Sequence, residues 1–193
     1  MDGPWAHSAN DRGERDPLVT HLKDTAERAR AFADAFGAGE LAYWLGLWHD
    51  LGKFHPDWQR YLLAAEQWDA GGRAGPKPQS PDHKAAGTLL AAEKLGSCAF
   101  AVQGHHGGMT SPAELQKFVG DAKLRESDDA ALQAARSAIP DLAPGERPAP
   151  PSWVKSPLDA EFFVRMLFSC LVDADFLATE WFLDRERKNV RLA

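Results

Sequence analysis

The sequence predicts an all-α fold, and three observations predict it. Apolar residues recur at three- and four-residue steps in several segments. No segment sustains strict apolar–polar alternation. Gly- and Pro-rich polar stretches separate the periodic segments. With 193 residues and 44% hydrophobic content, the chain has the length of one ordinary domain and material for a real core. Residues 1–193 are therefore expected to form a single domain.

In chain order, Leu18, Leu22, Ala26, Ala29 and Phe32-Ala33 predict a helix from Leu18 to Phe36, stopped by Gly37 and Gly39. Leu41 to Leu51 is apolar on nearly every side, which suggests a helix running through the core. Pro56 suits the first turn of a helix carrying Trp58, Tyr61, Leu62 and Leu63. Residues 69–81 have a mobile-loop composition. Asp82 then reads as the N-cap of a helix from His83 to about Leu95. Ser97 to Gly104 is a short apolar element ending at His105-His106-Gly107-Gly108, and Ser111-Pro112-Ala113-Glu114 is a helix start. Residues 140–157 are Pro-rich and irregular, a second mobile loop. A long helix from Leu158 to about Arg185 closes the chain. Its expected core side carries Phe162, Phe163, Met166, Leu167, Cys170, Leu171 and Phe176.

Bulk properties exclude some classes. No run of about 18 apolar residues is present, so no membrane span is expected. Met1 to Trp5 has neither a basic nor an apolar signal region. Cys98 and Cys170 lie far apart in apolar stretches and read as buried free thiols. Together these features lead to the expectation of a cytoplasmic protein. The net charge of -6 argues against a broad footprint on duplex nucleic acid. It does not fix the sign of a cleft, because two divalent cations would add about four positive charges locally.

Histidine placement is the informative feature. Five of the 7 histidines, His21, His49, His83, His105 and His106, sit beside apolar helical stretches. His49 and Asp50, about 100° apart on a helix, can both reach one cleft. Lys53 follows at three and four residues and shares their face, while Gly52 leaves room for a close approach. A His–Asp pair buried in an apolar helix is costly unless paired or bound to metal. A mixed imidazole and carboxylate set suits Mn, Fe, Co, Ni or Zn better than Mg or Ca. A bridging carboxylate at Asp50 could hold two ions about 3.5–4 Å apart. Taken singly, each residue has a plainer reading: a helical His is more often packed or capping, His105-His106 could be loop, and Asp173 and Asp175 could be surface charges. The co-occurrence of all of them favours a metal site.

At this point the motifs carry a resemblance. WHDLGK at 48–53 looks like the signature of the HD phosphohydrolase superfamily. Within it the chain resembles the HD nuclease of the CRISPR type I interference machinery. The supporting stretches are WAHS at 5–8 with PLVTHL at 17–22, WHDLGKFHPDWQRYL at 48–62, DHKAAG at 82–87, HHGG at 105–108 and RMLFSCLVDADFLATE at 165–180. The HD dyad alone is a weak signal; the ordered set, spanning Trp5 to Glu180, is strong.

The resemblance implies an HD-type helical bundle, a metal-dependent nuclease, and a ligand assignment. His21, His49, Asp50 and a late aspartate would hold one ion. Asp50, His83, His105 and His106 would hold a second, with Lys53 on the phosphate or attacking water. The superfamily's Ala-Asp pattern favours Asp175 as the late ligand. Asp173, about 200° away on a helix, is left for capping or outer contacts. Ser169 and Thr179 are candidate donors to the ligands. His7 is expected to fix the N-terminal arm and His55 to be structural. Trp44, Trp48 and Trp181 read as core; Trp58, Trp68 and Trp153 remain candidates for stacking on bases.

The implied cofactors are two divalent transition-metal ions, drawn from Mn, Ni, Co, Fe or Zn in preference to Mg. The implied partners are single-stranded DNA, a helicase subunit or domain, and the CRISPR surveillance complex, with no membrane. Members of this family commonly continue into a helicase. The resemblance therefore implies either a stand-alone endonuclease or a domain of a longer protein. Two other readings compete: an HD-type nucleotide or cyclic-nucleotide phosphohydrolase, which needs a closed base-recognising pocket, and a metal-stabilised module that docks a helicase without acting itself.

Overall fold

The computed structural model describes residues 3–184, with the backbone alone described for 122–127. Among the described residues there is no strand. The Trp5–Pro17 bridge is isolated and closes the N-terminal arm. Eight α-helices follow: α1 Leu18–Asp34, α2 Gly39–Trp48, α3 Pro56–Ala70, α4 Ala85–Leu95, α5 Ala99–Gly104, α6 Pro112–Gly120, α7 Ala122–Ala138 and α8 Pro157–Leu183. A 3-10 turn, Leu51–Phe54, lies between α2 and α3, and another, Gly96–Cys98, joins α4 to α5. The all-α expectation holds.

The core forms where α1, α2 and α8 pack together, with α4 and α5 closing it. Every residue from Trp44 to Trp48 is buried, as the all-round apolar pattern of α2 requires. Leu22, Leu45, Leu167 and Leu171 are wholly shielded from water. Backbones approach closely: a Cβ on Gly46 would stand 2.6 Å from Ala26 Cα of α1. At this crossing glycine is a steric requirement.

Several boundaries differ from expectation, each for a local reason. α1 ends at Asp34, and Gly39 opens α2 instead of only stopping α1. α4 begins at Ala85, not His83; the Asp82 carboxylate accepts from Lys84 N at 2.7 Å, turning the chain before the helix starts. Ser111 and Glu114 form a capping box, as predicted. The segment after them, however, makes two helices: Asp121, following Gly120, is extended (ψ 111) and ends α6 before α7 begins. The four-residue spacing of Ala131 and Ala135, both buried in the core, carried the signal for α7.

The long closing helix is present, capped by Ser156 and Asp159. Its expected end near Arg185 lies outside the described residues. Phe163, Leu167 and Leu171 face the core, but Phe162 and Phe176 are 58% and 59% exposed. Phe162 is about 100° from its buried neighbour Phe163, and Phe176 stands at the mouth of the cleft described below. Cys98 is buried and Cys170 half-buried, both as free thiols.

Residues 71–84 and 139–156 lack regular structure apart from turns and bends. The second stretch is fastened at two points: Trp48 Nε1 donates to Leu142 O at 2.8 Å and Trp153 Nε1 to Phe36 O at 3.1 Å. The stretch Ala85–Gly104 reaches the length and mean hydropathy, 1.2, of a membrane span. It is interrupted at Gly96 and packs into the core as two helices, so its apolarity serves the interior.

Candidate metal centre

The HD pair sits where α2 ends. His49 closes the helix, and Asp50 leaves helical geometry at φ -119, ψ 23. Both were expected inside a helix running to Leu51. The break re-aims Asp50, so that its two carboxylate oxygens face different groups. Lys53 returns to Asp50 through the 3-10 turn and not along an α-helical face: its Nζ lies 2.7 Å from Asp50 Oδ2 and 2.9 Å from Ala6 O. Gly52 allows the chain before α4 to pass: its N–H donates to His83 O at 3.1 Å, and a Cβ there would collide with that carbonyl.

On one side of Asp50, α1 contributes His21 from its first turn and α8 contributes Asp175. His21 Nε2 lies 3.2 Å from Asp175 Oδ1 and 3.3 Å from His49 Nε2; His49 Nε2 lies 3.3 Å from Asp50 Oδ2 and 3.4 Å from Asp175 Oδ1. On the other side, Asp50 Oδ1 faces His83 Nε2 at 3.5 Å and His105 Nε2 at 3.4 Å. His106 completes this second group, its ring 4.0 Å from that of His105 and 4.9 Å from that of His83. The two four-residue groups share Asp50, and within each the candidate donor atoms lie within 4.8 Å of one another. The predicted set of His21, His49, Asp50, His83, His105, His106 and Asp175 is thus brought together. Asp173 is exposed on the other flank of α8.

Two histidines are oriented by the same device. His49 Nδ1 lies 2.7 Å from Gly46 O, and His105 Nδ1 lies 2.6 Å from Val102 O. A carbonyl only accepts, so each Nδ1 carries a proton and Nε2 points into the cleft.

Electrostatics are tuned by burial and by the shared carboxylates. Burial opposes charging of His49, but Asp50 and Asp175 outweigh it and hold its pKa up at about 10. Burial likewise opposes ionisation of Asp50, yet Lys53 and His49 keep it well below the usual carboxylate range. Asp175 is held down in the same way, against burial, by His49 and His21. Burial pushes His83 and His106 down to about 4, so both are neutral imidazoles at pH 7, the form that binds metal.

The donor set fits divalent cations. His83 Nε2, His105 Nε2 and Asp50 Oδ1 are buried and have no hydrogen-bond partner among the described residues, an arrangement that ordinarily costs free energy. They converge, and a cation among them would satisfy all three. Imidazole and carboxylate together suit first-row transition metals.

The remaining residues fall as follows. His55 Nδ1 accepts from Asp57 N at 3.1 Å and caps α3, a structural role as predicted. His7 does more than fix the arm: it lines the cleft and packs edge-on against His21 at 4.7 Å. Thr179 Oγ1 lies 3.3 Å from His7 Nε2, and Ser169 is exposed, so neither is seen donating to the ligand set. The sequence reading missed Asp16, whose Oδ2 lies 3.6 Å from His21 Nδ1 and 3.9 Å from His7 Nε2. An acidic residue just before the first helix was the available signal.

The centre floors a cleft of about 790 Å³. One wall is α3, where Trp58 is buried with its ring 4.4 Å from that of His83, and Tyr61 and Trp68 are half-buried. Arg73 and Lys77 stand at its rim. Trp153, the third stacking candidate, packs on Phe163 away from this cleft.

Residues 5–180 match the family described as Cas3, HD domain. No curated protein matches the chain. The match covers most of the chain and includes every residue of the two groups that meet at Asp50. The chain therefore belongs to the Cas3 HD-domain family, metal-dependent HD-type phosphohydrolases and nucleases that act on nucleic acid in a CRISPR setting.

Proposed function

We propose that this protein is a two-metal endonuclease that cuts single-stranded DNA during CRISPR type I interference. The observation that carries the reading is Asp50, whose two oxygens face two separate donor groups. One ion would be held by His21, His49, Asp50 and Asp175, the other by Asp50, His83, His105 and His106. Bound divalent ions supply Lewis acidity toward water and neutralise phosphate charge. Asp50 orients both positions through its fixed, buried carboxylate. Lys53, held at 2.7 Å from it, adds a positive charge where a phosphate oxygen must come. Trp58 shields the His83 side from water.

Single-strand preference is supported by the recessed floor and by the half-buried rings of Tyr61 and Trp68 along one wall. A flexible strand can bend in and stack its bases there, whereas a stiff duplex would have to be bent or opened to reach the floor. The chain would work as one nuclease domain in the cytoplasm, beside a helicase subunit or domain that delivers the opened strand. Mn, Ni, Co, Fe or Zn suit the donors better than Mg.

A nucleotide or cyclic-nucleotide substrate is the second reading, and cleft volume favours it: about 790 Å³ lies within the range of small-molecule sites. Cleavage of circular single-stranded DNA separates the two. EDTA-stripped protein is supplied with Mn, Ni, Co, Fe, Zn, Mg or Ca beside an Asp50→Ala control. Transition-metal-dependent opening of the circle, absent in the control, is expected. Intact circles together with hydrolysis of a nucleotide would replace the nuclease reading with the second.

A further inference from the structure

His21 reaches the centre through Nε2, which leaves its other nitrogen to be explained. His21 Nδ1 is buried and has no hydrogen-bond partner among the described residues. Asp16 Oδ2 faces it at 3.6 Å. In contrast to His49 and His105, no backbone carbonyl holds this ring. We propose that Asp16 is a positioning residue: its carboxylate accepts the Nδ1 proton of His21 and so presents the Nε2 lone pair to a divalent cation. The proposal rests on the metal-centre reading above.

The surroundings of Asp16 fit this role. Its backbone is fixed, with Asp16 O accepting from Ala6 N at 2.9 Å beside the Trp5–Pro17 bridge. The arm that carries it is clamped in turn. Gln59 brackets the Trp5 backbone at 3.0 Å on both sides, Lys53 Nζ donates to Ala6 O, and Arg15 forms a two-pronged ion pair with Glu66 of α3. The carboxylate thus stands on a held backbone segment, and a small side-chain rotation closes 3.6 Å to a hydrogen bond. A carboxylate behind a ligating imidazole fixes tautomer and ring orientation and raises ligand basicity. The same oxygen lies 3.9 Å from His7 Nε2, so the arm also carries the His7 imidazole to the cleft.

The test is calorimetric titration of manganese into EDTA-stripped wild type and Asp16→Asn protein, with thermal unfolding in EDTA as a check on folding. Asn is isosteric, but its amide can donate to Nδ1 and favour the tautomer that blocks Nε2. The expected result is two ions in wild type, and in the variant one ion bound about 10–100-fold more weakly with the other unchanged and the unfolding temperature preserved. Equal affinities in both proteins overturn the proposal alone. Failure of wild type to bind any ion overturns it and the metal-centre reading together. A third, Asp16-dependent ion in wild type overturns it in favour of direct ligation by His7, Asp16 and His21. A second measurement needs no variant: long-range proton–nitrogen NMR of zinc-loaded, histidine-labelled wild type. A protonated His21 Nδ1 is expected, and an unprotonated or metal-bound Nδ1 overturns the assignment.

Discussion

At the scale of single residues, Asp50 and Lys53 set the character of the centre. Asp50 is 1% exposed and ionised, surrounded by His21, His49, His83 and His105. In metal-free protein Lys53 is its nearest cation. Removing one partner of a buried pair typically costs about 3–5 kcal/mol, because the remaining charge stays buried. Lys53→Met should therefore lose about 3 kcal/mol of stability in EDTA, read by urea unfolding. Saturating manganese should recover much of that loss by supplying another cation. An equal loss with and without metal would mean that Lys53 acts mainly by anchoring Ala6 O. The convergence of these side chains was readable in the sequence because the histidines stand in ordered motifs, and the superfamily's Ala-Asp pattern pointed to Asp175, which joins the cluster, over Asp173, which is exposed. Asp16 and His7 were not readable as neighbours of His21. They reach it through an arm whose course depends on Gln59 and Glu66, more than 40 residues on.

At the scale of elements, the site depends on helix crossings. α1 carries His21 and α2 delivers His49, and the two touch backbone to backbone at Gly46, whose carbonyl also orients His49. Gly46→Ala should force α1 and α2 apart at a cost of about 2 kcal/mol. Metal affinity should fall with it, since both groups of donors depend on α2. Thermal unfolding and manganese titration of the same sample check this; a loss of stability with intact affinity would show that the donors tolerate the shift. α3 offers a separable test. Trp68, seven residues beyond Tyr61, lies about 10 Å along the helix from it, so the two rings offer separate stacking faces. Trp68→Ala should raise KM for single-stranded DNA roughly tenfold, in line with about 1–2 kcal/mol per stacked base, and leave kcat and metal affinity in place. Periodicity found the helices that carry these residues. It missed the break at His49-Asp50 because the sequence stays apolar across it, through Leu51 and Phe54, and nothing in spacing distinguishes a 3-10 turn from another α-helical turn there.

For the whole molecule, pH should act on stability in opposite directions at different sites. Asp50 and Asp175, held low, contribute stability that is present above the usual carboxylate pKa and is lost as pH falls through their folded values. Asp128 works the other way. It lies on α7, which packs over the 3-10 turn bearing Lys53, and its Oδ2 is buried without a hydrogen-bond partner among the described residues. Burial, reinforced by Asp82 and Asp129, pushes its pKa up to about 6. The folded state therefore holds this proton more tightly than the unfolded chain. The contribution is intact below the unfolded value near 3.8 and declines as pH rises through about 6. Asp128→Asn keeps the shape and removes the charge, so it should raise stability at pH 7.5 by about 1 kcal/mol after allowing for partial solvation. The gain should shrink toward pH 4, where wild-type Asp128 is itself neutral. Thermal unfolding of both proteins in EDTA at pH 4.5, 6 and 7.5 reads the difference directly. A gain that stays constant with pH would mean that packing, and not the buried charge, limits stability at the seam between α7 and the turn below it.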